Sequence, residues 1–379
     1  MIVARHFETG DWLEIDLDGS KIQSIRRREP SSQETESTGT ELWVAPAFYD
    51  IQMNGRWGHS YSSPELTIDQ VVEIARAQRV LGTARFCPTL ITAPVEDLLH
   101  GVQTIAAACE QASEVAAMIS GIHLEGPFLS ERDGYRGAHP ASAIRDPDWP
   151  LFEKLQEASG NRVVMMTLAP ERPGSIEFIR RATRAGVRIA LGHTAANGET
   201  IHGAVEAGAT LSTHLGNGIV SELPRHPNPI WNQAAEDRLS ASFIADGHHL
   251  DLQTLRVLTR SKGVARSILV SDASPLAGLP PGTYGNWAVD PSGKIVVAGT
   301  PYLAGSNQGL ETGIRNYLKS DDHSIVEAIQ TVTANPARFL GLPAPILADG
   351  APANLILFTR EEDFTIRETY VDGVRAMAE

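Results

Sequence analysis

Four apolar runs in the sequence each end in a side chain that could bind a metal ion or transfer a proton. These side chains are Glu125, His193, His214 and Asp272. One glutamate and two histidines form a ligand set typical of catalytic zinc, with a coordination position left for water. The remaining carboxylate, Asp272, could then act as the general base toward that water. The pattern therefore indicates hydrolysis assisted by a metal ion.

The segments that must position these residues alternate between short apolar runs and amphipathic, helix-like stretches, as in βα units. Eight units can be counted, and eight is the number that closes a (β/α)8 TIM barrel, whose strand ends converge on one face. A doubly wound open sheet is the alternative. It would normally show a glycine-rich phosphate loop after the first strand, and the segment NGRWG matches that loop poorly. The eight candidate strands are PAFYDIQM, ARFCPTLI, ISGIHLEG, RVVMMTLAP, RIALGH, TLSTHL, ASFIAD and SILVSD.

At both ends of the chain, the sequence pattern instead predicts short strands and turns. The Asp18-Gly19 and Asp372-Gly373 pairs suit β-hairpins. A polar stretch from Ser31 to Thr40 follows the first strands. We therefore predict a small β-sandwich assembled from residues 1–46 and 343–379, with the barrel over residues 47–342.

The composition excludes several classes of protein. The chain has 379 residues, 42% of them apolar, and a formal net charge of −14. No basic patch stands out, so nucleic-acid binding is not expected. No segment approaches the roughly 20 apolar residues of a membrane span, and the N-terminus lacks the apolar core of a signal peptide. With two cysteines and no disulfide framework, the chain is expected to be cytoplasmic.

The other histidines need separate interpretations. His123 lies two residues before Glu125 and therefore on the same face of the strand. We expect it to support the site without binding metal. His59 is interpreted as a surface or packing residue.

Several motifs together resemble the N-acetylglucosamine-6-phosphate deacetylase family of the amidohydrolase superfamily. The resemblance spans nearly the whole chain, in family order, and it implies a barrel with a β-sandwich formed by both ends. The matching segments are AFYDIQMNG, CPTLIT, HLEGPFL followed by RGAHP, LAPE, GHT, GATLSTHLGN, FIADGHH, LVSDA and LAGS.

The resemblance also implies a ligand set and a reaction. Glu125, His193 and His214 would hold one divalent metal ion, expected to be zinc. Some members of that family carry Gln-x-Asn after the first strand and hold one ion rather than two. Amides are poor zinc ligands, so Gln52 and Asn54 are expected to hydrogen-bond with neighbouring loops or with substrate.

The implied reaction is hydrolysis of the N-acetyl amide of N-acetylglucosamine 6-phosphate to glucosamine 6-phosphate and acetate. Asp272 would accept the proton of the attacking water and return it to the departing amine. His139, in the RGAHP segment, would contact the substrate near the carbonyl.

The residues expected to bind the phosphate of the substrate follow from the resemblance alone. Asn217, Gly218 and His249 would contact the phosphate, with His248 as a neighbouring candidate. Arg225 would reach the phosphate from a partner subunit, which implies a homodimer.

Three alternatives remain open at this point. The segment GIVSELPRHPNPIWNQ departs from the family pattern, and His226 within it is a second candidate. The substrate could therefore be an unphosphorylated N-acetyl amino sugar or another N-acyl amine. Cyclic amide hydrolysis usually needs a carboxylated lysine after strand four, and RVVMMTLAPE has no lysine. A non-catalytic binding protein on a barrel scaffold is the third alternative, and the intact set of four site residues argues against it.

Overall fold

A computed structural model describes residues 1–29, 41–360 and 363–377 of the chain. The polar stretch from Ser31 to Thr40 lies outside the described residues. At the centre is an eight-stranded sheet in which each strand pairs, in parallel, with the next one along the chain. Its strands are β1 (Phe48–Met53), β2 (Thr83–Ile91), β3 (Ile122–Glu125), β4 (Val163–Leu168), β5 (Arg188–Leu191), β6 (Ala209–Ser212), β7 (Ser240–Ile244) and β8 (Ser267–Val270). Each strand overlaps one of the eight predicted segments, with β2, β6 and β7 beginning one residue earlier than predicted, and the predicted (β/α)8 barrel is confirmed.

The barrel closes just beyond the end of β8, where the chain lies next to the end of β1. The Asp272 amide donates to the Gln52 carbonyl at 3.0 Å, and the Asn54 amide donates to the Ala273 carbonyl at 2.9 Å. These two backbone bonds set the end of β1 beside the residues that follow β8. Residues 220 positions apart in the chain are thereby neighbours at the rim of the barrel.

The strands bury side chains on both faces. One cluster takes residues from seven of the eight strands, and because side chains alternate along a strand, it fills the interior of the barrel. The opposite faces pack against the surrounding helices in the larger core, which includes Ile189 and Leu191 of β5. The members of the interior cluster are Ile51, Cys87, Met165, Ala190, Leu211, Ile244, Ile268 and Val270.

Helices follow the strands and cover the barrel. Two of them begin with a capping box, in which Thr67 pairs with Gln70 and Ser324 pairs with Glu327. Such a pair satisfies two backbone N–H groups that a helix start leaves without partners. The helices are α1 (Ile68–Val80), α2 (Val95–Gln111), α3 (Ser113–Met118), α4 (Trp149–Ala158), α5 (Ser175–Arg184), α6 (Gly198–Ala207), α7 (Pro229–Ala235), α8 (Leu252–Lys262), α9 (Leu310–Ser320), α10 (Ile325–Val332) and α11 (Ala334–Leu340).

Both chain ends contribute to one further sheet of seven strands, which has its own apolar core. The sequences at the two ends meet where 355–359 pairs with 43–46 in antiparallel orientation. Its strands are Ile2–His6, Trp12–Asp18, Lys21–Arg27, Trp43–Pro46, Leu355–Thr359, Thr365–Val371 and Val374–Met377. The predicted small β domain built from both termini is therefore confirmed. Its division from the barrel at residues 46 and 342 stays a proposal.

Both predicted Asp-Gly hairpins are present. Asp372 and Gly373 have φ values of 46° and 76°. Positive φ at both central residues is the requirement of a type I′ turn, which explains the Asp-Gly pair there.

A small antiparallel sheet follows β8 and lies over the barrel end. Its strands are Gly282–Tyr284, Trp287–Val289 and Ile295–Val297. It brings Trp287 to the wall of the cavity described below. Within the described residues, no helix has the length and apolar character needed to cross a membrane.

Candidate active site

Three of the four strand-end residues converge on one point. The Nε2 atoms of His193 and His214 lie 3.2 Å and 2.9 Å from the same Glu125 carboxylate oxygen, Oε1. All three side chains are buried. Each residue offers one ligand atom, and the three atoms lie within 4.8 Å of one another. The strand ends thus place a carboxylate and two imidazoles around one small volume.

The charges in this cluster depend on one another. Burial by itself would raise the pKa of Glu125, yet hydrogen bonds from the two imidazoles hold that pKa well below its ordinary value. Burial likewise opposes a charge on His214, but the adjacent Glu125 carboxylate raises the pKa of this histidine. The carboxylate therefore favours positive charge at this point, as a cation site requires.

The donor set fits a divalent metal ion. Carboxylate oxygen and imidazole nitrogen are ordinary zinc ligands, and three protein ligands leave a position open. His193 Nδ1 lies 3.1 Å from the Tyr135 carbonyl oxygen, which can only accept. Nδ1 therefore carries a proton, and Nε2 is the nitrogen whose lone pair would bind a metal ion in place of the hydrogen bond with Glu125.

Three residues of this region have an unusual backbone conformation. His193, His214 and Asp272 have φ values of 49°, 31° and 45°, although none is glycine. Left-handed conformations cost energy in residues other than glycine, and such residues cluster at functional sites as well as in turns. The backbone thus reverses immediately after three of the strands and turns their side chains over the barrel end.

Asp272 is held by two amides. Gln52 Nε2 donates to Asp272 Oδ1 at 3.1 Å, and Asn54 Nδ2 donates to the same oxygen at 2.8 Å. Burial, followed by the charge of Glu125, raises the pKa of Asp272 above its ordinary value. A buried carboxyl group with a raised pKa in a cavity is a candidate for proton transfer. Both amides were expected to bond with neighbouring loops or with substrate, and their donors bond with Asp272, which lies in the segment just after β8.

His139 packs against the same cluster. Its ring lies 4.3 Å from that of His193, centroid to centroid. Burial, and then the nearby His193, lower the pKa of His139 to about 3, so the ring is neutral at neutral pH. The Thr92 backbone N–H lies 3.3 Å from His139 Nδ1 and makes this nitrogen an acceptor. The single ring proton is therefore on Nε2. Sequence reasoning did not identify Thr92.

A cavity of about 220 Å³ is lined by the three candidate ligands and by Asp272, Asn54 and His139. Asn217, Gly218 and His249, which the sequence proposed for phosphate, line it as well. Asn217 Nδ2 is buried and has no hydrogen-bond partner within the described residues. Gly218 has φ 60°, and a Cβ there would lie 2.8 Å from two atoms of the His193 ring. A side chain at position 218 would thus displace a candidate ligand.

His249 is oriented by an aspartate that the sequence analysis overlooked. Its Nδ1 lies 2.8 Å from Asp246 Oδ2, which also accepts from Ser306 Oγ at 2.8 Å. Burial would raise the pKa of Asp246, but its hydrogen bonds with His249 hold that pKa well below the ordinary value. The aspartate is therefore ionised and keeps the His249 Nδ1 proton. The signal in the sequence was the Asp three residues before the histidine, in the segment ADGHH.

Other candidates lie outside this cavity. Arg225 and His226 are exposed and absent from its wall. His59 lies in a short hairpin with its Nε2 3.7 Å from Glu73. His123 is buried with Nε2 2.7 Å from Thr167 Oγ1, next to the ligands rather than among them. The structure therefore brings the predicted site residues together in one cavity except Arg225, whose predicted role requires a second subunit, and the neighbouring candidates His226 and His248 do not line this cavity.

Comparison with known proteins agrees with the architecture. The family model described as Amidohydrolase family matches residues 43–376. An N-acetylglucosamine-6-phosphate deacetylase of Bos taurus is 35% identical over an alignment of 374 residues that covers 94% of this chain and 88% of that protein.

Solved structures from Mycobacterium smegmatis are also similar. A crystal structure of N-acetyl-D-glucosamine-6-phosphate deacetylase superposes with a TM-score of 0.86 at 30% identity, covering 100% of both chains. A variant of that enzyme in complex with N-acetyl-D-glucosamine-6-phosphate superposes with a TM-score of 0.83 at 30% identity, covering 97% of this chain and 94% of that one. The matched family model and the extent of these similarities establish that this chain belongs to the Amidohydrolase family.

Proposed function

We propose that this protein is a metal-dependent deacetylase that hydrolyses N-acetylglucosamine 6-phosphate to glucosamine 6-phosphate and acetate. The observation that carries the proposal is the convergence of a three-ligand cluster and a buried aspartate in one cavity. The named activities of the Bos taurus and Mycobacterium smegmatis relatives support the choice of substrate.

Glu125, His193 and His214 would hold one divalent ion, which we propose to be zinc. When bound, such an ion supplies Lewis acidity, which lowers the pKa of water and polarises a carbonyl oxygen. The protein's contribution is the geometry of the three ligands and the hydrogen bond that fixes the His193 ring.

Asp272 would transfer the proton in both halves of the reaction. It accepts a proton from the water that attacks the acetyl carbonyl carbon. It then donates this proton to the nitrogen of the sugar, because an unprotonated amine is a poor leaving group. The raised pKa of Asp272 suits a group that must both accept and release a proton near neutral pH.

His139 would stabilise the carbonyl oxygen as negative charge develops on it. The tautomer assigned above leaves an Nε2–H donor on a neutral, buried ring. A fixed donor in a water-poor site stabilises an oxyanion more than it stabilises the ground-state carbonyl.

Asn217, Gly218 and His249 would bind the phosphate. The unpartnered Asn217 amide is a ready donor, and Asp246 orients the imidazole of His249. The chain has a net charge of −14 and therefore repels an anionic substrate at long range. Local donors must overcome this field, and a guanidinium is well suited to do so. We propose that Arg225 of the second subunit of a homodimer supplies it, in a cytoplasmic enzyme.

A panel of N-acetyl hexosamines tests the proposed function. We expect acetate release to be fastest with N-acetylglucosamine 6-phosphate and to fall by on the order of 10² in kcat/KM when the phosphate is removed, since several donors then lose their partner. Galacto- and manno-configured 6-phosphates serve as controls for the sugar configuration. Equal rates with and without phosphate would contradict the proposed substrate. Absence of acetate release from every member would contradict deacetylation.

Removal of Arg225 tests its role in phosphate binding. Arg225→Ala is expected to raise KM for the phosphorylated sugar by about thirtyfold, or about 2 kcal/mol, and to leave KM for the unphosphorylated sugar nearly unchanged. Arg184→Ala, at an exposed position on α5, is the matched control. An equal change in KM for both sugars would argue against a phosphate contact.

A mixed dimer tests whether Arg225 acts across the interface. One chain carries Arg225→Ala and the other Asp272→Asn. If each site combines Asp272 of one chain with Arg225 of its partner, one site of the mixed dimer is complete and the other lacks both residues. Phosphate-dependent activity should then recover to about half that of the wild-type dimer. Activity that stays low would place Arg225 in the same site as its own Asp272, because neither site is then complete.

A further inference from the structure

We propose that Gln52 and Asn54 are positioning residues that bind one oxygen of Asp272 and reserve the other oxygen for proton transfer. This inference rests on the proposed function, because it assigns the amides a part in the deacetylation that Asp272 would catalyse. Amides are poor zinc ligands, so these two positions do not supply a second metal site.

The geometry is that of two donors on a single acceptor. Both amide nitrogens bond with Asp272 Oδ1, at 3.1 Å from Gln52 and 2.8 Å from Asn54. No hydrogen bond within the described residues reaches Asp272 Oδ2. All three side chains are buried, with exposures of 0%, 6% and 6%. The two bonds are therefore made in a setting where little water competes for the carboxylate.

Two backbone hydrogen bonds also hold the segment of Gln52 and Asn54 next to Asp272. The Asp272 amide donates to the Gln52 carbonyl, and the Asn54 amide donates to the Ala273 carbonyl. These bonds close the barrel between β1 and β8. The two amide side chains lie on the same face of their segment because they are two residues apart. Barrel closure thus aims both donors at one carboxylate.

The positions of nitrogen and oxygen in the Gln52 and Asn54 side chains follow from their contact with the Asp272 carboxylate. If oxygen and nitrogen were exchanged in either side chain, a carbonyl oxygen would face the carboxylate oxygen, and neither atom could donate. The remaining oxygens, Gln52 Oε1 and Asn54 Oδ1, are buried and have no hydrogen-bond partner within the described residues. The contact with Asp272 is therefore the one that sets the rotamers.

Two donors on one oxygen have a chemical consequence. They draw electron density to Oδ1 and make this oxygen a poorer proton acceptor, so the proton goes to Oδ2. They also hold the carboxylate plane fixed, and a proton acceptor must lie at hydrogen-bond distance from the proton it takes. Amides suit this task because they do not ionise and so remain donors at every pH at which the protein is folded.

A double-mutant cycle tests the inference. Asn54→Leu and Gln52→Met remove the donors at similar size, each in the wild-type chain and in the Asp272→Asn chain. We expect each change to lower kcat for acetate release about tenfold in the wild-type chain with KM within about threefold, as for a lost charge-assisted hydrogen bond. In the Asp272→Asn chain the same changes should alter kcat by less than about twofold, because the group through which they act is gone. Equal losses in both backgrounds would overturn the proposal.

The metal content of the Asn54→Leu and Gln52→Met variants distinguishes a positioning role of these amides from a role in metal binding. Both variants should keep the metal content of the wild-type protein, and loss of metal would overturn the proposal. Gln78→Met is the matched control, since Gln78 is a buried glutamine on α1 that contacts Met53 between the two amides. It should leave kcat within about twofold, and a tenfold loss there would mean that any buried change near β1 slows the enzyme.

A crystal structure of the variants gives a readout that does not depend on activity. The Asp272 carboxylate should rotate away from its wild-type orientation in Asn54→Leu, and Asn54→Ser serves if the leucine variant does not fold. An unchanged carboxylate in variants of both positions would overturn the proposal even if the wild-type protein released no acetate. The proposed function is tested separately, by acetate release from the panel of N-acetyl hexosamines with the wild-type protein.

Discussion

Replacement of Asp272 by asparagine is expected to reduce kcat for acetate release by on the order of 10² or more, with little change in fold or metal content. An asparagine has nearly the same shape, and its side-chain oxygen can still accept from Gln52 and Asn54. It cannot take a proton from water or return one to an amine. The loss should therefore fall on kcat rather than on KM.

Three measurements check this prediction together. Acetate release gives kcat and KM, elemental analysis gives the metal content, and thermal unfolding reports the fold. Asp246→Asn is an informative comparison, because it removes the buried carboxylate that orients His249, a residue proposed to bind the phosphate. That variant should mainly raise KM for the phosphorylated sugar. Near-normal turnover in Asp272→Asn would assign the proton transfer to another residue.

Loss of a metal ligand should have an equally large effect. His214→Asn or His193→Asn leaves two of the three ligands, and we expect the bound metal to fall by at least an order of magnitude. Activity at ordinary metal concentrations should fall with it. The expected content of the wild-type protein is about one divalent ion per chain.

A surface histidine provides the matched control for this prediction. His202 lies on α6 with its side chain 64% exposed, away from the cavity. His202→Asn should keep both the metal and the activity. Full metal content in His193→Asn and His214→Asn would mean that the ion binds elsewhere in the protein.

The barrel could be predicted from the sequence because its signals are local. Each strand is a short apolar run, and a helix begins within eight residues of the end of β2, β4, β5 and β7. The ligand positions were equally accessible, since the carboxyl ends of barrel strands must meet on one face. Glu125, His193 and His214 could thus be grouped before any coordinates were known, and the structure places them together.

The contacts around these residues could not be predicted because they depend on closure of the barrel. Gln52 and Asp272 are 220 positions apart and meet only where β8 returns to β1. Thr92 reaches His139 from another loop, 47 positions away. Sequence spacing carries no information about such pairs. The left-handed backbone conformation at His193, His214 and Asp272 could not be predicted either. Glycine is the residue type that commonly indicates a positive φ, and none of the three is glycine.

The most direct test of the account is a metal titration of the stripped wild-type protein. Zinc is added stepwise, and acetate release from N-acetylglucosamine 6-phosphate is measured at each step. The account predicts that activity is lost on stripping, rises in proportion to added zinc and levels off at about one ion per chain. Full acetate release by the stripped protein, or activity that levels off only at two ions per chain, would contradict it.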